Sequence, residues 1–289
     1  MKNIKQNIIA LVYDFDGTLT PKTMQEYTLL PNLGVKDSRK FWNEISRECV
    51  ELQAENTLMW MKKIIDMAKN KETPISRQYF KNTGKDIPFF NGIPEYFKKI
   101  NKYVENKVKG RMKIRHYIIS SGLKEILDGV SISKEFFNIF GSEYTYDEYG
   151  RPTFPKVIIT DTVKTQYLFR INKGKEKIGE SINEHMPEED RPIPFKNMVY
   201  IGDGLSDVPA MNVTIKNGGH AIAIYKPRDK RGFNTCKNLV KAGRVDFIAS
   251  ADYGEGSDLS NSIKIILDTI VQQYDFDQFI EKQNIKIML

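Results

Sequence analysis

The chain has 289 residues, 40% hydrophobic and 11% aromatic, which suits a globular protein with a sizeable core rather than a disordered one. Its 44 Lys and Arg against 37 Asp and Glu give a net charge of +7, but the basic residues are scattered among acids, which favours a solvated surface over a nucleic-acid interface. Two cysteines, Cys49 and Cys236, without a Cys-x-x-Cys or Cys/His cluster, argue against a disulfide framework and a zinc site, and no apolar run reaches the ~20 residues of a membrane span.

Lys2 and Lys5 precede an apolar run, as in a signal peptide. That run is only Ile8–Tyr13, and Asp14 ends it, so no signal is expected and the chain is expected in the cytoplasm. Ile8–Tyr13 is continuous, apolar and rich in β-branched residues, the pattern of a strand buried on both faces in a parallel sheet. It meets Asp14 and Asp16, two apart and therefore on one side of an extended chain. Gly17 permits a sharp exit, at the strand end where α/β sheets bind ligands. A second Asp-Phe-Asp string, Asp275–Asp277, has no buried strand before it and no Gly-Thr after it, and reads as solvated surface.

Residues 22–90 read as helical. Pro21–Pro31 should leave the strand, and Phe41, Trp42, Ile45, Cys49 and Leu52 recur at helical spacing. A second helix through Trp60 and Ile64 is expected with Asn56 as its cap, and Pro74 and Ser76 open a third. No strand is expected here, and the segment is longer than a βα connection needs, so it is expected to be an inserted helical domain over a core formed by residues 1–21 and 91–289. Arg47, Arg77 and Trp42 are candidates to face a ligand, with surface or core roles equally open.

Glu95–Lys109 reads as an amphipathic helix, and Tyr117–Ile119 as a strand leading into Ser120, Ser121 and Gly122. Phe140–Tyr146 and Thr153–Ile159 read as hairpin strands at the sheet edge, and a helix is expected from about Lys164. Asn172–Pro194 is polar and reads as a solvent-exposed insertion. Met198–Ile201 is another apolar strand, ending in Gly202-Asp203-Gly204-Leu205-Ser206-Asp207. Ala221–Tyr225 and Val245–Ile248 are later strands, and Leu259–Val271 a closing helix. His116, His185 and His220 have no metal-ligand pattern; structural roles are expected for His116 and His220, and none in catalysis for His185.

The Asp-Phe-Asp-Gly-Thr string at Asp14–Thr18 and the Gly-Asp-Gly-x-x-Asp string at Gly202–Asp207 resemble the first and fourth motifs of the haloacid dehalogenase-like hydrolase superfamily. Ser120 and Lys164 fall between them in the order of the second and third, although Ser121 is an alternative for the second. The resemblance implies an α/β fold: a Rossmann-like parallel sheet with helices on both faces and, as in the phosphoserine phosphatase-like subgroup, an inserted α-helical cap. It implies a nucleophilic Asp14, an acid/base Asp16, and Ser120 and Lys164 holding phosphoryl oxygens, with Ser121 and Gly122 beside them. It implies Mg²⁺ held by Asp14, the Asp16 backbone carbonyl and Asp203, with Asp207 in the outer shell or holding Lys164. The implied activity is hydrolysis of a small phosphorylated metabolite through an aspartyl-phosphate. A phosphomutase of the same superfamily and a non-catalytic phospholigand-binding protein are the alternatives. Neither nucleic acid nor membrane is an expected partner.

Overall fold

The first apolar run forms β1 (Ile8–Tyr13) at the centre of a sheet. The computed structural model describes residues 6–70 and 74–288, of which 285–288 are described by backbone alone. Lys2 and Lys5, weighed above for a signal segment, lie outside the described residues. A helical segment follows β1: α1 (Leu29–Asn32), α2 (Ser38–Leu52), α3 (Asn56–Asn70) and α4 (Arg77–Thr83). Next come α5 (Glu95–Val108), β2 (Lys113–Leu123), α6 (Lys124–Leu127), β3 (Asn138–Tyr146), β4 (Pro152–Val157) and α7 (Val163–Lys173). The chain closes with β5 (Met198–Gly202), α8 (Val208–Lys216), β6 (His220–Tyr225), α9 (Lys230–Lys241), β7 (Phe247–Ser250) and α10 (Asp258–Met288).

The seven strands form one sheet in the order β4-β3-β2-β1-β5-β6-β7, parallel except for β4, which closes one edge against β3 as a hairpin. The strand order reverses beside β1, since β2 and β5 flank it, and such a switch point opens a crevice at the carboxyl ends of the strands. Side-chain alternation buries both faces. Ile9, Leu11 and Tyr13 join Val199 and Ile201 in one apolar cluster, and Ala10 and Val12 join Met198 and Tyr200 in another.

The first cluster runs on without a break into the helical segment, through Phe41, Ile45, Trp60, Ile64 and Phe80. Asp37 caps α2 through the N–H groups of Arg39 and Lys40, and Ser76 caps α4 through that of Tyr79. At α3 the capping acceptor is Glu55, which takes the Leu58 N–H at 2.7 Å, rather than the expected Asn56. No strand occurs among the described residues of 22–90.

Three further features depart from expectation. Strand β2 does not turn at Ser120; it continues to Leu123, which pairs with Ser142 after an irregularity in register. The last strand begins two residues later than Val245, and α10 runs well past Val271. Asp275 and Asp277 lie on that helix, where Arg111 pairs with Asp275 and Lys196 with Asp277, tying its far end to the core surface. The polar stretch after α7 is largely exposed, as expected, and it folds around the buried Arg170, whose guanidinium donates to the carbonyls of Lys175, Lys177, Ile178 and Glu180. His116 is buried between Tyr13 OH and Asn101, and burial holds its pKa down to about 3, so it is a neutral core residue.

Candidate active site

Asp14 leaves the end of β1 and Asp203 the end of neighbouring β5, and the Asp14 N–H donates to the Ile201 carbonyl at 2.9 Å, locking the two strand ends together. Gly17 then turns with φ +79°, and a Cβ there would stand 2.0 Å from Asp203 Oδ2. The Asp203 carboxylate thus occupies space that only glycine leaves open.

Lys164, in the first turn of α7, reaches into the crevice with 2% of its surface exposed. Its ammonium donates to Asp14 Oδ1 at 2.8 Å and to Asp207 Oδ1 at 2.6 Å. Tyr200 OH donates to the same Asp207 oxygen at 2.6 Å, and Thr18 Oγ1 reaches Asp14 Oδ2 at 3.4 Å. Gly202 is again required, because a Cβ would lie 2.4 Å from Asp207 Oδ2. Burial disfavours a charged lysine, but Asp14 and Asp207 outweigh it and hold the Lys164 pKa well above its ordinary value.

Carboxylate oxygens of Asp14, Asp203 and Asp207 all lie within 4.8 Å of one another. Asp207 Oδ2 is buried and has no hydrogen-bond partner among the described residues. A cluster of hard oxygen donors with one orphaned buried oxygen fits a divalent cation of the Mg²⁺ kind. The Asp16 carboxylate stands apart from this trio and accepts from the Met24 N–H at 2.8 Å.

Burial first, then the charge of Asp207, raise Asp14 to a pKa of about 6 despite Lys164. Burial, Asp14 and Asp207 raise Asp203 to about 8. In metal-free protein the folded state therefore keeps protons that the unfolded chain releases near the ordinary value of 3.8, so these groups cost stability as pH rises from about 4 to about 8. A bound cation would replace those protons. The rise in Tm on adding Mg²⁺ to chelator-treated protein is expected to be larger at pH 8 than at pH 5. An equal rise at both pH values, or none, would remove the cation from this cluster.

Ser120, 1% exposed, lies on β2 beside the crevice, and its Oγ accepts from the Gly122 N–H at 3.0 Å. Ser121 and Gly122 line a cavity of about 520 Å³ that opens over Asp16, between the strand ends and the helical segment. Of the three ligand candidates in that segment, Trp42 lines this cavity. Arg47 instead pairs with Glu51 on an exposed helix face, and Arg77 stacks on Tyr146 at 4.5 Å. Sequence reasoning missed Tyr200, Met24, Gln25, Glu55 and Asp161. The one local signal among them was Tyr200, a hydroxyl in a fully buried apolar strand, which must find a partner.

No family model matches the chain. A protein of Borreliella burgdorferi described as uncharacterized is 31% identical over 287 residues, covering 90% of this chain and 97% of that one. Among solved structures, a substrate-bound phosphoserine phosphatase complex superposes with a TM-score of 0.53 at 17% identity, covering 89% of this chain and 97% of that one. A phospho-aspartyl intermediate analogue of phosphoserine phosphatase gives 0.51 at 18% identity, covering 90% and 99%. A probable phosphoserine phosphatase from Vibrio cholerae gives 0.54 at 13% identity, covering 94% and 69%.

Proposed function

We propose that this chain, which belongs to one family with the Borreliella burgdorferi protein and has the haloacid dehalogenase-like fold of the phosphoserine phosphatases, is a Mg²⁺-dependent phosphatase of a small phosphorylated metabolite. The observation that carries the reading is the buried Lys164 bridging Asp14 and Asp207, next to an Asp16 carboxylate that faces the cavity.

Asp14, Asp203 and Asp207 would hold the ion, joined by the Asp16 backbone carbonyl in the family pattern. When bound, the ion would screen the Asp14 carboxylate from the negative charge of the phosphoryl group. Asp14 supplies the oxygen that attacks phosphorus, and the bond to the ester oxygen breaks. Lys164 and Ser120, with the backbone at Ser121 and Gly122, hold the phosphoryl oxygens on which charge builds. Asp16 gives its proton to the departing alkoxide. Burial, then the charge on Asp14, keep the Asp16 pKa well above its ordinary value, against the pull of the Met24 N–H, which suits a group that must start protonated. The Asp16 carboxylate then takes a proton from water, whose oxygen attacks the aspartyl-phosphate and frees phosphate and Asp14. Residues 22–90 act as the cap, since their Trp42 and Trp60 wall the cavity. No helix among the described residues is long and apolar enough to cross a membrane. The free thiols of Cys49 and Cys236 support placement in the cytoplasm.

Asp16→Asn tests this scheme by leaving group. An alkyl alkoxide needs a proton to leave, whereas p-nitrophenolate does not, so alkyl phosphates should lose about 10²–10⁴-fold. With p-nitrophenyl phosphate the first step should suffer less and the second should stall. Rapid mixing should show a nitrophenolate burst before a slow steady state. Equal losses for both esters without a burst would deny Asp16 the acid/base role. Net phosphate release from wild type separates a phosphatase from a phosphomutase.

A further inference from the structure

The cavity over Asp16 carries charge of one sign. Among the described residues that line it none is Lys, Arg or His, while Glu55 comes from the start of the α3 turn and Asp161 from the loop before α7. Neither acid forms an ion pair with a described residue. Burial raises the Asp161 pKa, Lys164 lowers it, and Asp207 and Glu55 add to the rise.

Glu55 Oε2 already caps α3 and Asp161 is exposed to solvent, and two other observations point to what these charges would attract. Trp42 and Trp60 line the same space, their rings 6.4 Å apart at 78°. Trp42 is held in place by its indole N–H, which donates to Glu26 at 3.2 Å, and Glu26 accepts in turn from Thr23 and Ser38. Gln25 also lines the cavity; it is 3% exposed and its amide Oε1 has no partner among the described residues. Indole faces attract cations, and an unpaired carbonyl oxygen presents the negative end of its dipole to one, with or without N–H groups. A substrate carboxylate, by contrast, would meet Glu55 and Asp161 with no cation to receive it.

We propose that the cavity takes the phosphomonoester of an ammonium-bearing alcohol, a substrate with a positive charge and no carboxylate, recognised by Trp42, Trp60, Glu55, Asp161 and Gln25. The proposal rests on the phosphatase reading for its phosphoryl end only. The ammonium end stands on the lining of the cavity, whose size suits a small molecule.

Trp42 and Trp60 are the two tryptophans of the chain, so its intrinsic fluorescence reports on this cavity. Full-length protein in Mg²⁺ should give a saturable fluorescence change with choline. The neutral carbon isostere dimethylbutanol should bind at least about tenfold more weakly. Glu55→Gln and Asp161→Asn should each weaken choline about fivefold or more. Arg47→Gln, on the exposed face of α2, should leave choline binding unchanged. In kinetics, kcat/KM for choline phosphate should exceed that for phosphoserine and for glycerol phosphate by about tenfold or more. Equal binding of the isostere, no saturable response to choline, or a preference for phosphoserine would overturn the proposal. Selective choline binding in a protein that releases no phosphate from any ester, p-nitrophenyl phosphate included, would support the ammonium site and overturn the phosphatase reading.

Discussion

Asp14→Asn should lower phosphate release by about 10⁴-fold or more while leaving the fold intact. An amide is a poor nucleophile and a poor ligand for a hard cation. The fold should survive because Lys164 keeps Asp207 as its counter-ion at 2.6 Å, and because an Asn oxygen can still accept from the ammonium. Stability in chelator should even hold or rise at neutral pH. Burial and the neighbouring Asp207 charge already push Asp14 toward its neutral form, so removing its charge relieves the cluster. Phosphate release and a thermal melt on the same preparation check both halves. Activity above a few per cent, with deamidation excluded by mass, would mean that another group attacks phosphorus.

Lys164→Met should show the largest loss of stability of any single change in the site. It removes the one cation between Asp14 and Asp207, which are 5% and 0% exposed, and breaking a buried ion pair from one side typically costs about 3–5 kcal/mol. The sign of its pH dependence is fixed. Without the ammonium Asp14 binds its proton still more tightly when folded, whereas the unfolded chain titrates near 3.8. The destabilisation should therefore fade as pH falls toward 4 and grow toward pH 8. Adding Asp207→Asn to Lys164→Met should recover much of the stability and none of the activity. Urea unfolding at pH 5 and pH 8 gives the comparison, and a Lys164→Met protein as stable as wild type at pH 8 would show that the ammonium is not the counter-ion of this cluster.

The elements legible in the sequence were those whose cause is local. Ile8–Tyr13, Met198–Ile201 and Ala221–Tyr225 are unbroken apolar runs, and central parallel strands demand that pattern. Asp14 and Asp203 were readable because each follows such a run in a string that holds a glycine, Gly17 leaving room for the Asp203 carboxylate and Gly202 for that of Asp207. What was not legible depends on contacts between distant segments. Ser-Ser-Gly reads as a turn, and only the pairing of Leu123 with Ser142 draws β2 onward. The apolar period of α10 fades after Val271, and the far helix is held by Arg111 and Lys196, distant in sequence. Trp60 shows why helical spacing misleads at a site: it is 4% exposed, so it is core by burial, yet it also lines the cavity. Met24 could not be read at all, because it acts on Asp16 through its backbone N–H.

The chemistry proposed here turns on whether Asp14 itself takes the phosphoryl group, and trapping answers that directly. Asp16→Asn protein mixed with p-nitrophenyl phosphate in Mg²⁺, quenched in acid, reduced with borohydride and digested, should yield a peptide with homoserine in place of Asp14, the product of reducing an aspartyl-phosphate. Wild type treated alike should show less, because Asp16 clears the adduct. Steady turnover with no modified Asp14, or a phosphoryl group recovered on another side chain, would contradict a nucleophilic Asp14.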